Sequence, residues 1–143
     1  MKIAIQYVFT LLVLLGCREE TTGPVSSTPY EIWRSYNLHN YTIEQVRECE
    51  CINGNVRMLV TVQSDTVCSV MKVSDSTFIP YPTSKIYLSI DSLFGIIRHS
   101  KTDSLVYMFH AEYGYPEKLD INPQLHPIDG GVLYKTSNVQ SLK

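Results

Sequence analysis

The sequence predicts an α+β domain, a single antiparallel sheet of about five to six strands with two helices packed on one face. Three observations lead there. Short alternating apolar runs separated by turn residues occupy much of residues 41–136. A helical period interrupts them at residues 89–97, and a capped segment with a tryptophan precedes them at residues 28–36.

In chain order, Thr28-Pro29-Tyr30-Glu31 carries the signature of a helix start. Threonine caps, proline suits the first helical position, and glutamate three residues on reaches back to the cap N–H. A short helix to about Tyr36 follows, with Trp33 as its buried anchor. Tyr41 to Cys51 alternates loosely as a strand, and Asn53-Gly54 is a strong hairpin signal because both residues tolerate positive φ. Val56 to Gln63 is the returning strand, with Val56, Met58, Val60 and Val62 on one face. Ser64-Asp65-Thr66 turns the chain into a third strand, Val67 to Val73.

Residues 74–88 read as irregular, since Pro80 and Pro82 block a central strand. Ser89 then caps a second helix, Asp91 lies favourably in its first turn, and Ile90, Leu93, Phe94 and Ile97 form one face. Leu105 to Glu112 is a strand, Tyr113-Gly114-Tyr115-Pro116 a turn, and Lys118 to Asn122 a strand. Gly130-Gly131 precedes a last strand, Val132 to about Thr136, and a polar tail.

At 143 residues there is room for one domain, residues 28–143, behind a leader (1–16) and a tether (17–27). A net charge of −2 gives no electrostatic reason to expect nucleic acid. Hydrophobic content of 44% and ten tyrosines supply a core, which excludes a wholly disordered chain.

Lys2 is followed by an uncharged apolar run from Ile3 to Gly16, then Cys17. A bilayer-spanning helix needs about 20 apolar residues. This run is shorter, lies behind a positive charge and stops at a small residue, as secretory signals do. Leu14-Leu15-Gly16-Cys17 resembles the lipobox of bacterial lipoproteins. That resemblance implies a diacylglycerol on the Cys17 thiol, cleavage just before it, and acyl chains of the palmitate class. The expected address is the bacterial cell envelope, lipid-anchored on the outer membrane, with the side left open. The plainer alternatives are ordinary secretion with cleavage near Gly16, or a short membrane anchor. Arg18-Glu19-Glu20 reads equally as a surface-sorting signal or a solvated tether, and Thr21 to Thr28 as a flexible linker.

Beyond Cys17 the cysteines are Cys49, Cys51 and Cys68, so at most one internal disulfide forms and one thiol is left over. With two-residue loops at Asn53-Gly54 and Ser64-Asp65, Cys51 faces Val56, Cys49 faces Met58, and Cys68 falls on the other side. A bulge would bring Cys68 round. Two residues apart on a strand, Cys49 and Cys51 have Cα atoms about 6.6 Å apart, so bonding them requires a bend. All three remain candidates. Glu48 and Glu50 flank the pair, which argues against a low-pKa catalytic thiol.

The three thiols with His39, His99, His110 or His126 lack a second close ligand pair, so no metal is expected. No Gly-x-Ser-x-Gly, His-Glu-x-x-His or phosphate loop appears, and Asp91, Glu112, Asp120 and Asp129 are scattered carboxylates. No catalytic residue and no cofactor is implied. Tyr113 and Tyr115 are the candidate binding surface, weighed against simple packing on the sheet edge.

These residues together carry a resemblance. Trp33, Tyr41-Thr42 leading into Cys49-Glu50-Cys51, the paired strands Val60 to Val70, Ile90-Asp91, Leu93-Phe94, Tyr113-Gly114-Tyr115-Pro116, Ile121 and Asp129 resemble a family of uncharacterised bacterial envelope proteins, often lipoproteins. The likeness runs from Trp33 to Tyr134, and Cys68 lies outside its pattern. It implies the fold and leaves the activity open. The expected function is a non-enzymatic binding module, meeting the membrane through its lipid and an unknown protein or glycan through its surface. The alternatives are an envelope hydrolase using scattered carboxylates, or a thiol/disulfide-responsive structural protein.

Overall fold

The structure, a computed structural model, describes residues 27–128 and 130–143. The leader, Cys17, nearly all of the tether, and Asp129 lie outside the described residues.

The elements are α1 (Pro29–Ser35), β1 (Tyr41–Glu48), β2 (Met58–Gln63), β3 (Thr66–Lys72), α2 (Ile90–His99), β4 (Leu105–Phe109), β5 (Pro116–Ile121) and β6 (Val132–Ser141). Short 3-10 turns at Thr83–Ile86 and Pro123–Ile128 punctuate the connections. The strands form one open antiparallel sheet of six in the order β3-β2-β1-β6-β5-β4. Two meanders, β1–β3 and β4–β6, are thus joined along β1 and β6. The class is α+β, as expected.

Thr28 and Glu31 cap α1 reciprocally, with the Thr28 N–H donating to Oε2 of Glu31 at 2.7 Å. Trp33 is buried and sets its ring edge-on to Tyr41 and Tyr115, centroids 5.5 and 6.2 Å away. Ser89 caps α2 through the Ser92 N–H. Ile90, Leu93 and Phe94 are buried, while Ile97 is only partly so. The helices also touch: Tyr30 packs edge-on against Phe94 at 5.0 Å, and the Arg98 guanidinium lies 4.1 Å over the Tyr30 ring.

Register explains the buried sheet face. Tyr41, Ile43 and Gln45 of β1 stand opposite Val62, Val60 and Met58 of β2, and all six are fully buried. Across β6 the face continues with Thr136 and Tyr134, then Leu119 on β5.

Gln45 is the unusual member. Its amide Nε2 donates to the Leu88 carbonyl at 3.1 Å and its Oε1 accepts from the Leu88 N–H at 3.0 Å. Four residues earlier on the same face, the Tyr41 hydroxyl accepts from the Ile90 N–H at 3.0 Å. Burial pushes the Tyr41 phenol well above its ordinary range, so it remains protonated at any physiological pH.

Two expectations are corrected. The first pair of strands is not closed by a two-residue Asn53-Gly54 loop, and β1 ends at Glu48 rather than Cys51. Asn53 and Asn55 do take positive φ, and the Asn55 N–H donates to the Arg47 carbonyl at 2.7 Å, but Met58 pairs with Gln45, not with Cys49. Burying Tyr41, Ile43 and Gln45 against three apolar partners outweighs the tight turn. The last strand runs to Ser141 instead of about Thr136, because Ser137, Gln140 and Ser141 pair with β1 through a bulge near Asn138. Its polar side chains concealed a backbone ladder.

Of the alternatives left open for the Ser64-Asp65-Thr66 turn, the structure takes a two-residue loop, Ser64-Asp65, with both φ positive, followed by a bulge at Cys68. Residues 74–88 are irregular as expected. Within them the Ile79 N–H donates to the Val70 carbonyl and Phe78 bridges Met71, covering part of the β3 edge.

Replacing Gln45 by Leu keeps the volume but strands the Leu88 N–H and carbonyl. We expect a loss of about 2–4 kcal/mol in urea unfolding, and a loss under about 0.5 kcal/mol would refute the role of this latch.

Candidate functional site

Where β1 ends, the chain leaves the sheet and turns back on itself. The Cys49 and Cys51 sulfurs lie in contact, with Cα atoms 5.3 Å apart. The bend that an extended strand lacks is supplied by this departure from the ladder. Cys49 is half-buried, Cys51 exposed, and Ile52 beside it 78% exposed.

Arg47 and Glu48 precede the pair on opposite faces of the strand. Arg47 belongs to the inner face, its guanidinium 5.9 Å from the Tyr87 centroid and 5.6 Å from that of Tyr134. From this aromatic seat its Nη1 donates to Sγ of Cys51 at 3.6 Å. Glu48 belongs to the outer face and is paired with Lys135 of β6.

On the outer side a shallow cleft of 190 Å³ is lined by Glu48, Cys49, Glu50, Asn55, His126 and Gly131. His126 reaches it from the Pro123–Ile128 turn, held by Nε2 to Oδ1 of Asp120 on β5 at 2.8 Å. A Cβ on Gly131 would collide with the His126 ring and come 2.6 Å from the Asn122 carbonyl oxygen. Glycine is what lets the imidazole lie against this backbone.

Residues 27–141 match the model of a family described as a family of unknown function, DUF6174. The chain belongs to the DUF6174 family. The match is wider than the Trp33–Tyr134 span read from motifs. No curated protein and no solved structure matches the chain.

For this DUF6174 domain the other candidates fall in separate places. Cys68 is free and exposed at the β3 bulge, its thiol 3.4 Å from the Thr61 carbonyl, apart from the bonded pair. Tyr115 is buried in the core between Trp33 and His110, so it is not a presented ring. Its Gly114 neighbour, at φ 71°, sits so close to α1 that a Cβ would strike the Pro29 carbonyl. The turn was shaped by packing against that helix.

Tyr113 does present itself, 36% exposed, with its ring 5.0 Å from Tyr36 and 5.1 Å from His110. Nδ1 of His110 accepts from the Glu112 and Tyr113 N–H groups, which fixes the turn. Beneath these rings a groove of 290 Å³ is lined by His110, Tyr113, Tyr115, Glu117, Ser137 and Asn138.

Of the scattered carboxylates, Asp129 lies outside the described residues and the other three stand in separate places. Asp91 lies at the start of α2 near Arg34, Asp120 on β5 against His126, and Glu112 in the turn after β4. Among the described residues no group of three or more His, Cys, Asp and Glu is placed to hold a metal ion. Likewise, no described helix is long and apolar enough to cross a membrane.

Sequence reading found the two cysteines but missed Arg47 and the His126–Asp120 pair. Arg47 was legible only as a neighbour, and the imidazole of His126, 75 residues beyond Cys51, arrives from the Pro123–Ile128 turn.

A bond between Cys49 and Cys51 closes a loop around one residue. Loop-closure entropy grows with the logarithm of length, so its removal costs no more than about 2 kcal/mol. We expect the double variant Cys49→Ser/Cys51→Ser to stay folded, with a fall in denaturant-unfolding stability inside that bound. A larger fall would mark the pair as a structural staple.

Proposed function

We propose that this chain is a bacterial envelope lipoprotein, held to the outer membrane by acyl chains on Cys17. Its domain, with α1 and α2 on one face of the sheet, is a non-enzymatic binding module for a protein or glycan. The anchor rests on the leader: a short apolar run behind Lys2, then Leu14-Leu15-Gly16-Cys17. Two or three acyl chains hold a membrane durably where one is marginal. The segment between Cys17 and the Thr28 cap is small and polar, suited to a tether.

The observation that carries the binding role is the aromatic surface of Tyr113, Tyr36 and the partly exposed His110 above a groove of mixed polar and apolar lining. Rings held by mutual tilted contacts lose little entropy on binding and offer both apolar faces and hydroxyls, which suits protein or sugar recognition. The core does not need Tyr113, whereas it does need Tyr115 and Trp33. The helix placement is supported by Trp33 and Phe94 entering one core cluster with the inner residues of β1 and β2.

Intact mass of the natively expressed protein tests the anchor. The expected species begins at Cys17 with added lipid mass and fractionates with membranes, and Cys17→Ala moves the protein to the soluble fraction. A chain retaining residues 1–16, or an unlipidated one, would overturn it.

For the binding surface, a photo-crosslinking amino acid in place of Tyr113 is expected to give one discrete adduct in cells. The same probe at Val106, 60% exposed on β4, is expected to give none. Equal labelling at both positions would remove the aromatic surface from consideration.

A further inference from the structure

We propose that Cys49 and Cys51 are a redox pair that exchanges electrons with protein dithiols, with Cys51 as the exchanging sulfur and Arg47 as the group that stabilises its thiolate. This goes beyond the binding role and does not depend on it or on the anchor.

Three observations converge. First, a bond around a single residue restrains the unfolded chain very little, so stability gives it weak purpose. Second, the two sulfurs are unequally placed. Cys51 is exposed beside Ile52, whose exposed side chain offers an apolar foothold for a partner, while Cys49 is half-buried in the cleft. Exchange chemistry needs one attackable sulfur and one resolving sulfur behind it.

Third, the charges around the pair are not those implied by Glu48 and Glu50 alone. Glu48 is occupied by Lys135, and the Arg47 guanidinium, lying over the Tyr87 and Tyr134 rings, points Nη1 at Sγ of Cys51. A cation at this distance favours thiolate over thiol. The groups facing the pair are therefore Arg47, Glu48 and Glu50 from its own stretch, His126 from the Pro123–Ile128 turn, and Lys135 from β6.

In the reductive half-reaction a partner thiolate attacks Sγ of Cys51 and the Cys49–Cys51 bond breaks. Cys49 leaves as a thiolate into the cleft and takes a proton from solvent. The partner's second thiol, deprotonated, attacks its own sulfur in the mixed disulfide and releases Cys51 as a thiolate beside Arg47. Two electrons pass from the partner dithiol to the pair, leaving a partner disulfide. In reverse, Cys51 attacks a partner disulfide and Cys49 resolves the same intermediate.

The test uses the full-length protein in detergent, equilibrated in glutathione buffers of graded oxidation, quenched with acid, alkylated and mapped cysteine by cysteine. The expected result is a reversible Cys49–Cys51 bond with unchanged far-UV circular dichroism. Cys49→Ser should accumulate glutathione on Cys51, and Cys51→Ser should acquire it on Cys49 roughly tenfold more slowly, as expected where access and thiolate fraction differ. Arg47→Gln should move the pH midpoint of Cys51 alkylation in the Cys49→Ser background upward.

Absence of the bond in oxidising buffer, unfolding on reduction, or equal glutathionylation of the two single variants would overturn the proposal. So would an unmoved pH midpoint in a folded Arg47→Gln protein. Because Arg47 packs on two aromatic rings, that variant may be checked by circular dichroism first. If it fails to fold, the two serine variants decide alone.

Discussion

The structure hangs on two side chains of one strand. Tyr41 and Gln45 point into the core from β1, and between them they hold the backbone of Leu88 and Ile90, the entrance to α2. Gln45 is fully buried, an expensive place for an amide unless both ends are paired. It is paired at both, because an amide reproduces the donor and acceptor of a peptide group and Leu88 supplies the complement. Through this contact an irregular connection of proline and serine is held against the sheet as though it were a further strand. The helix that follows then starts at a defined place, with Leu93 and Phe94 over the core.

That latch also makes sense of the sheet order. β1 is central, flanked by β2 and β6, and it carries Tyr41 and Ile43 of the larger core. The larger cluster gathers Trp33, Tyr41, Ile43 and the valines of β2, while the smaller joins Leu93, Leu119 and Tyr134 beneath the other meander. A domain assembled from two local hairpin systems needs long-range closure, and β6 supplies it along nearly the full length of β1. One open edge, β4, keeps exposed Val106, Tyr107 and Met108, whereas the other is partly covered by residues Thr77 to Ile79.

Local chemistry was readable where a single segment determines its own conformation. The Thr28–Glu31 cap, the Ser89 cap, the apolar face of α2 and the Ser64-Asp65 turn are settled by neighbours within four residues, and each stands where its residues put it. Legibility failed where a distant partner decides. Asn53-Gly54 is a good turn, but Tyr41, Ile43 and Gln45 find their burial partners only in a register that leaves residues 49–57 outside the ladder. Ser137 to Ser141 looks like a tail because its hydrogen-bonding partner lies on β1, far back in the chain. Tyr113 and Tyr115 are alike in sequence, and only the docking of α1 distinguishes the presented ring from the buried one.

The same register choice produces the cysteine site. Had the strands closed at Asn53-Gly54, Cys49 and Cys51 would lie in a paired strand, too far apart to bond and flanked by carboxylates alone. Ending β1 at Glu48 frees them to fold together, and it leaves Arg47 as one of the strand's last inner residues. There the guanidinium pairs with no carboxylate among the described residues. Among the described residues its Nε is buried without a hydrogen-bond partner, its carbon centre lies over two tyrosine rings, and Nη1 meets a sulfur. A half-buried cation gains from a negative group within reach, and a Cys51 thiolate would be such a group. Arg47 thereby links the packing of the inner face to the state of the exposed loop. The core residues that orient it, Tyr87 and Tyr134, belong to the same framework that Gln45 latches in place one strand pair away.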